Sequence, residues 1–237
     1  MSDKTFTKEN LDTYLKALAK EFRKRYGKSA NAEIILIGGA AILANYGFRE
    51  MTTDIDAIIH ATSAIKESIN FVGDKFDLPN GWLNTDFTKT SSYSPKLDEF
   101  SVFYKSFYGV LSVRSISSEY LIAMKLRSGR KYKNDLSDII GILAEHEKGQ
   151  NPLTLNSIDS AVTKLYGGWE GFPEDSKAFI EDAFSNGRFL EVYESVRNEE
   201  KLSKSILIEF EEKYPKIATQ SNVDDILKSL KAKRDNK

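Results

Sequence analysis

The chain contains no cysteine among its 237 residues. Disulfide bonds and thiolate zinc sites are therefore excluded. The two histidines, His60 and His146, are far apart in the sequence, which argues against a metal site built from histidines. The longest apolar run, residues 34–43, is too short to cross a bilayer. Residues 1–4 lead into a polar stretch, so we expect a cytoplasmic protein without membrane contact.

Positive and negative charges are nearly equal in number. The formal net charge is −1, whereas a protein that coats nucleic acid is usually basic, so any contact with nucleic acid is expected to be local. Hydrophobic residues make up 41% of the chain and charged residues 29%. This composition is typical of a globular protein and argues against a disordered chain.

The apolar pattern predicts an α+β fold in two parts. Residues 1–116 are expected to form a domain with a mixed sheet of about four to five strands flanked by helices. The clearest strands are residues 33–37, 54–59, 100–104 and 110–113. Residues 117–237 are expected to form an all-helical domain. Its predicted helices lie near residues 117–126, 134–143, 157–165, 174–184, 189–196, 201–214 and 223–233.

Two aspartates, Asp54 and Asp56, are separated by one apolar residue in an isoleucine-rich segment. Because strand side chains alternate between faces, both carboxylates are predicted on one face. We interpret the strand as buried, where unpaired carboxylates are costly. A divalent cation removes that cost, and Mg²⁺ commonly takes one or two carboxylates together with substrate phosphates. The pair therefore predicts a Mg²⁺ site, with Mn²⁺ as the alternative ion; two solvated acids at a strand edge are the competing interpretation.

The glycine pair Gly38-Gly39 follows an apolar strand and precedes a short helical segment. Backbone N–H groups at such a turn can bind a phosphate at the helix N-terminus. The spacing matches neither the dinucleotide fingerprint nor the P-loop. A strand-to-helix turn without a ligand is the alternative. Together with Asp54 and Asp56, the turn indicates phosphoryl chemistry.

The order of a strand, Gly-Gly, a short helix and a strand with Asp-x-Asp resembles the DNA-polymerase-β-like nucleotidyltransferase superfamily. Residues 37–43 and 49–56 look especially like its minimal bacterial branch, which includes toxins of abortive-infection systems. The later stretch of residues 120–139 also resembles that branch. The resemblance covers residues 33–143.

The resemblance implies Mg²⁺-dependent transfer of a nucleoside monophosphate from a nucleoside triphosphate (NTP) to a hydroxyl group. Asp54 and Asp56 would bind one or two Mg²⁺ ions that bridge the triphosphate. Gly38 and Gly39 would place amides on its β and γ phosphates. The acceptor implied is an RNA end, such as that of a tRNA, or a protein side chain. A toxin role and a cognate antitoxin partner are further implications.

Five more residues receive roles through the same resemblance. Lys125 matches a lysine that would neutralise phosphate charge, although a surface lysine with its stem packed is the alternative. Asp135, or Asp138 one turn later, matches a downstream acidic position, and an acid is also favoured there by the helix dipole alone. Arg49 and Thr53 flank the aspartates and would orient phosphate.

The superfamily's third carboxylate has no obvious counterpart. The corresponding strand, residues 110–114, offers Ser112 and Arg114, while Asp98 and Glu99 precede the strand before it. The general base is then Asp135 or Asp138, or the substrate needs little deprotonation, or the protein is a catalytically silent binder of nucleotide or of a partner protein. A metal-dependent phosphohydrolase also uses paired aspartates but gives no reason for the glycine turn.

The densest positive stretch lies at residues 125–133. A clamp for the triphosphate or for an RNA backbone is one interpretation, with Lys125 and Arg130 as nucleotide-binding residues. The other is a set of cations at a helix C-terminus followed by a solvated loop. The members of this run are Lys125, Arg127, Arg130, Lys131 and Lys133.

Overall fold

Nine α-helices and five strands make up the described part of the chain, residues 4–219 and 222–235 of this computed structural model. Part of the polar start discussed above, residues 1–3, lies outside the described residues. In chain order the elements are α1 (Lys8–Tyr26), β1 (Ala32–Leu36), α2 (Gly38–Asn45), β2 (Ile55–His60), α3 (Ile65–Phe76), β3 (Leu83–Asn84), β4 (Ser101–Phe107), β5 (Leu111–Ile116), α4 (Ser118–Ser128), α5 (Asp135–Lys148), α6 (Leu155–Tyr166), α7 (Ser176–Asn186), α8 (Phe189–Lys213) and α9 (Val223–Asp235). Short 3₁₀ helices span Asp86–Lys89 and Pro95–Phe100.

The chain divides into two units. Unit 1 comprises Met1–Met124 and Asn156–Glu170, and unit 2 comprises Lys125–Leu155 and Gly171–Lys237. Unit 1 holds all five strands, and no strand follows β5 in the described ranges. The predicted α+β class is confirmed, while separate domains at residues 1–116 and 117–237 stay a prediction.

The sheet of unit 1 has the order β3-β2-β1-β5-β4. β1 lies in its centre, antiparallel to β2 and parallel to β5. β4 forms an antiparallel hairpin with β5. Strand β3 was not predicted, because its two residues follow a turn and pair only with Ile55 and Asp56. The predicted mixed sheet is thus confirmed with five strands.

Helix α1 covers part of this sheet with one apolar face. Leu11, Leu15, Leu18 and Phe22 recur at helical spacing and are buried. A capping box of Thr7 and Asn10 begins the helix. Gly27, with φ of +87°, follows its last residue. The polar side of α1 is therefore left to solvent.

Strand β2 differs from the expected buried strand. It begins at Ile55, so Asp54 lies just before it and is exposed. Ile55 and Ala57 are buried, whereas Asp56 is only half-buried and His60 is exposed. The prediction of a fully buried strand was wrong because one face of β2 packs inward and the other meets solvent. Isoleucines occur on both faces, so the composition does not reveal this alternation.

Unit 2 is helical, with α5 and α9 both packed against α8. The two helices expected at residues 189–196 and 201–214 are one continuous helix, α8. The prediction of a break was wrong because residues 197–200 contain neither glycine nor proline. The continuous helix also carries Glu200 and Ser203 into the buried part of unit 2.

Candidate active site

The turn between β1 and α2 brings the glycine pair beside one of the two aspartates. Gly38 has φ of +56°, a conformation that favours glycine. The N–H of Ile37 donates to the carbonyl oxygen of Asp56 at 2.9 Å. A Cβ added to Gly38 would lie 3.9 Å from Oδ2 of Asp56. The Asp56 carboxylate therefore lies next to the first residue of α2.

Two side chains lie so close to Gly39 that only glycine fits at this position. A Cβ at this position would overlap Oγ1 of Thr52 and lie 3.0 Å from Nη2 of Arg49. The Nε of Arg49 also donates to the carbonyl oxygen of Met51 at 3.0 Å, which fixes the side chain along the loop. Glycine thus lets a guanidinium and a hydroxyl approach the beginning of α2.

The beginning of α2 has no side-chain cap within the residues that the structure describes. The residue before it, Ile37, offers no side-chain acceptor. The first N–H groups of a helix have no partner inside the helix, and they carry the positive end of its dipole. The start of α2 can therefore bind an anionic oxygen such as that of a phosphate.

The two aspartates suit a hard divalent cation. Asp54 is exposed and Asp56 is half-buried, so both can meet a hydrated ion. Throughout the described ranges, no group of three or more His, Cys, Asp or Glu side chains is placed to hold a metal. Mg²⁺ fits a pair of carboxylates because it keeps several waters and completes its shell with substrate phosphates.

Arg114 stands on the strand where a third carboxylate was sought. It is paired in register with Ile35 of β1, which in turn faces Ile58 of β2. Since side chains alternate along a strand, Arg114 projects on the same side of the sheet as Asp56. Its Nε donates to Oγ of Ser101 at 2.8 Å. A cation held by β4 therefore takes the place of a third acid.

Asp98, one of the two other carboxylates considered for that role, is paired with a histidine. Its Oδ2 lies 2.8 Å from Nε2 of His60 at the far end of β2. His60 is four residues beyond Asp56, about 13 Å along a strand. Asp98 is thus paired with a histidine away from the glycine turn.

Four other predicted site residues form a cluster in unit 2, in which Lys125, Asp135 and Asp138 are buried and Arg130 is half-buried. Nζ of Lys125 lies 3.0 Å from Asp135 and 2.7 Å from Asp138. Nε and Nη2 of Arg130 donate to the two oxygens of Asp135 at 2.7 and 3.1 Å. Only 7% of Lys125, 1% of Asp135 and 3% of Asp138 is exposed. Both cations are therefore neutralised within unit 2.

Burial and charge act in opposite directions on Asp135. Burial alone would raise the pKa of its carboxyl, but the charges and hydrogen bonds of Lys125 and Arg130 outweigh it and lower the pKa to about 2. The carboxylate is therefore ionised at neutral pH and accepts a proton only weakly. This favours an ion-pairing role over the role of general base.

Glu200 of α8 caps α5 across unit 2. Its two carboxyl oxygens accept the backbone N–H groups of Leu136 and Ser137 at 2.8 and 3.3 Å. Burial raises the pKa of Glu200 to about 7, with Asp138 adding to the rise and the hydrogen bonds opposing it. The sequence analysis missed this residue because the carboxyl comes from 64 positions away.

The structure thus separates the predicted residues into two groups. Gly38, Gly39, Arg49 and Asp56 meet at the β1–α2 turn, with Asp54 two residues before Asp56. Thr53 is exposed, and the neighbouring Thr52 contacts the turn instead. The second group consists of Lys125, Arg130, Asp135 and Asp138. The catalytic and binding roles of both groups stay predictions.

Comparison with protein families identifies the class to which this turn and sheet belong. Residues 13–146, more than half of the chain, match the model of a family described as a nucleotidyltransferase of unknown function (DUF6036). The chain belongs to this family. Neither the curated proteins nor the solved structures gave a match. None of the described helices is long and apolar enough to pass through a bilayer.

Proposed function

We propose that the protein is a nucleotidyltransferase of the DNA-polymerase-β-like type that moves a nucleoside monophosphate from an NTP to a hydroxyl acceptor. The observation that carries the proposal is the position of the Asp56 carboxylate beside the uncapped start of α2. A phosphate-binding turn and a cation-binding carboxylate are thereby adjacent in unit 1. Membership of the nucleotidyltransferase family supports the same reaction.

Asp54 and Asp56 would hold Mg²⁺, or Mn²⁺ in its place. The bound ion supplies charge stabilisation for the entering and leaving oxygens of the displacement. The N–H groups of Gly38 and Gly39 bind oxygens of the triphosphate at the positive end of α2. Arg49, which packs against Gly39, orients those oxygens by its charge.

In the proposed reaction the acceptor oxygen forms a bond to the α phosphorus, and the bond from this phosphorus to the β-phosphate oxygen breaks. Pyrophosphate leaves, and the proton of the acceptor hydroxyl passes to water. Asp135 is a poor base for this proton because the pKa of its carboxyl is lowered to about 2. We therefore assign Lys125, Arg130, Asp135 and Asp138 to positioning of residues 125–138 within unit 2.

The test uses the full chain with each α-labelled NTP, Mg²⁺ and total RNA or protein as acceptor. Asp54→Asn combined with Asp56→Asn is expected to lower label transfer about a thousandfold or more, because the cation site is lost. Glu50→Gln, a change of an exposed acid in the same loop, is the matched control and should keep full transfer. Equal transfer by the double variant and the control would remove the proposal. Circular dichroism verifies that the variants fold.

A catalytically silent binder of nucleotide or of a partner protein is the second candidate, and Arg114 favours it because a cation lies where a third carboxylate was expected. Binding of NTP with Mg²⁺ but without transfer to any acceptor would support this candidate. Release of phosphate without an acceptor would instead support a phosphohydrolase. The same labelled reactions separate all three outcomes.

A toxin role with a cognate antitoxin is a further proposal that rests on the resemblance of residues 37–43, 49–56 and 120–139 to the branch that includes abortive-infection toxins. Induced expression should then arrest bacterial growth, and the Asp54→Asn, Asp56→Asn variant should not. Co-expression of a gene found next to this one should relieve the arrest. Growth that is equal for the wild type and the double variant would contradict the toxin role.

A further inference from the structure

A row of cations lies along the solvent side of α1, away from the candidate active site. Lys16, Lys20 and Lys24 follow at intervals of four residues and therefore lie above one another on the helix. Arg23 is beside them, and Lys28 follows the helix end. The four lysines are exposed and Arg23 is half-buried. We call these five residues the α1 basic face.

The acids close to α1 are bound by residues outside this row. Glu21 of α1 and Glu67 of α3 lie 2.6 and 3.3 Å from Arg25. Asp12, one turn before Lys16, pairs with Lys105 and accepts a hydrogen bond from the hydroxyl of Tyr104 at 2.9 Å. Considering residues 4–219 and 222–235, no carboxylate oxygen is within 4.0 Å of a charged nitrogen of the α1 basic face. Its positive charge is therefore directed to solvent, although the whole chain is nearly neutral.

The tip of the β4–β5 hairpin adds an aromatic wall to this row. Lys20, Arg23, Lys24 and Lys28 line an open hollow of about 380 Å³ together with Tyr108, and no acidic side chain borders it in the described structure. The Nη1 of Arg23 donates to the carbonyl oxygen of Tyr108 at 3.2 Å, which ties the hairpin tip to α1. Tyr108 is 41% exposed. A partly free ring thus stands among four cations.

The row of cations is longer than one phosphate group, and this favours a polyanion as its ligand. Lys16 and Lys24 are eight residues apart, which corresponds to about 12 Å along a helix. A nucleic-acid strand carries a phosphate about every 3.4 Å of duplex axis, so the row matches several successive phosphates. The exposed ring of Tyr108 can stack on a base only if that base is unpaired.

A membrane surface does not match this face. An interfacial helix inserts an apolar face between lipids while its cations meet the headgroups. The apolar face of α1, which includes Leu15, Leu18 and Phe22, is buried against the rest of unit 1. Cations and an amphipathic ring remain, and these are the groups that bind a single strand of nucleic acid.

The α1 basic face is separate from the glycine turn. The N–H of Ala32 at the start of β1 donates to the carbonyl oxygen of Val110 beside the hairpin tip at 2.9 Å. Gly38 follows the opposite end of β1. Five strand residues span about 17 Å. A ligand on the α1 basic face would therefore be held at a distance from Asp56.

We propose that the α1 basic face and Tyr108 form a binding site for the phosphodiester backbone and an unpaired base of single-stranded nucleic acid. The site goes beyond the proposed nucleotidyl transfer and does not require it. RNA and DNA share the chemistry that it recognises. If transfer to RNA also occurs, this site would anchor the acceptor strand away from its reacting end.

The test is fluorescence anisotropy of the full chain with labelled single-stranded RNA, single-stranded DNA of the same sequence and the duplex, over a series of KCl concentrations. Lys20→Glu with Lys24→Glu is expected to weaken single-strand binding about tenfold or more. It should also reduce the salt slope by about 1.4, because about 0.7 is lost for each phosphate contact. Lys201→Glu with Lys204→Glu, an equal charge change at exposed positions of α8, is the control.

A further variant, Tyr108→Asn, tests the ring. Asparagine tolerates the positive φ of +54° at this position, so the turn is kept while the ring is removed. Single-strand affinity should fall about 5- to 100-fold, and duplex binding should not change.

Three results would overturn the proposal. The first is no binding of either single strand. The second is an equal loss of affinity in the α8 control, because the loss would then follow from the net charge of the protein and not from the α1 basic face. The third is binding to anionic vesicles without binding to oligonucleotides. Lys20→Gln with Lys24→Gln repeats the measurement without adding negative charge, should the glutamate variant fold poorly. Different affinities for RNA and DNA would identify which strand the site prefers.

Discussion

The basic run at residues 125–133 and the α1 basic face each contain five cations, but they use them differently. In the run, Lys125 and Arg130 contact Asp135, and Lys131 contacts Asp175. Arg127 lies 5.0 Å from the ring centroid of Phe172. The α1 basic face has no such acidic partners in the described structure. The density of positive charge in a sequence therefore does not indicate which charge is available to a ligand.

The difference follows from where each cation is placed. Lys125 is buried, and an ion in a protein interior must be paired to offset the loss of its hydration. Lys20 and Lys24 are exposed and keep their water, so they need no partner. Buried cations are thus neutralised within their own unit, whereas exposed cations remain free to exchange water for an external anion.

The largest expected effect comes from breaking the buried group. Asp135→Ala should lower the free energy of unfolding by about 3–5 kcal/mol, because it removes a carboxylate that neutralises the buried Lys125. Urea unfolding of both proteins measures the change. Asp175→Ala, which removes an exposed partner of Lys131, is the matched control and should cost less than about 1 kcal/mol. Similar losses in the two variants would abolish the contrast between buried and exposed cations.

The next effect is a pH dependence from the cap of α5. The pKa of Glu200 is about 7 in the folded protein against 4.5 as its ordinary value. The folded state therefore retains a proton that the unfolded state releases as the pH rises from 4.5 to 7. The free energy of unfolding should fall by about 3 kcal/mol over this window from this group alone. Urea unfolding from pH 4.5 to 7 should show the fall in the wild type, and Glu200→Gln should show a flatter profile.

A smaller effect is expected at the exposed end of the basic run. Lys131→Ala should change the free energy of unfolding by about 0–1 kcal/mol, because its pair with Asp175 is half in solvent. High salt should reduce the small difference further. A loss that is larger, or independent of salt, would place Lys131 with the buried cations.

The smallest effect on stability is expected for the α1 basic face. Lys20→Ala with Lys24→Ala should leave the free energy of unfolding within about 0.5 kcal/mol of the wild type. The same protein should bind a single-stranded oligonucleotide more weakly. A clear loss of stability would show that these lysines pack within unit 1, and the comparison of the two basic regions would then lose its basis.

The sequence predicted those features that depend on neighbouring residues. The glycine pair after an apolar run predicted the β1–α2 turn, and the isoleucine-rich segment predicted β2. That Asp54 and Asp56 share one face stays a prediction, because Asp54 lies before the first residue of β2. Local patterns suffice because a strand and a turn are determined within a few residues.

Contacts between distant residues were beyond such reasoning. Glu200 reaches the start of α5 from α8, and Asp175 reaches Lys131 across 44 positions. The contact of Thr52 with Gly39 depends on the path of the loop between α2 and β2. No pattern in a single sequence reports these pairings, which arise from tertiary packing. The sequence showed the cations of residues 125–133 but not their ion pairs with Asp135 and Asp175. A clamp for a triphosphate or an RNA backbone at these residues stays a prediction.

The cap that Glu200 provides for α5 comes from outside the segment that the family model matches. The family match ends at residue 146, yet α5 inside it is completed by a carboxyl supplied from α8. Helix α6 likewise follows the match but belongs to unit 1, where its Leu165 accepts a hydrogen bond from Ser94. The segment that the family model matches is therefore shorter than the structure that completes its helix α5. A relative that replaced its C-terminal helices would have to evolve another cap for α5 and another partner for Ser94.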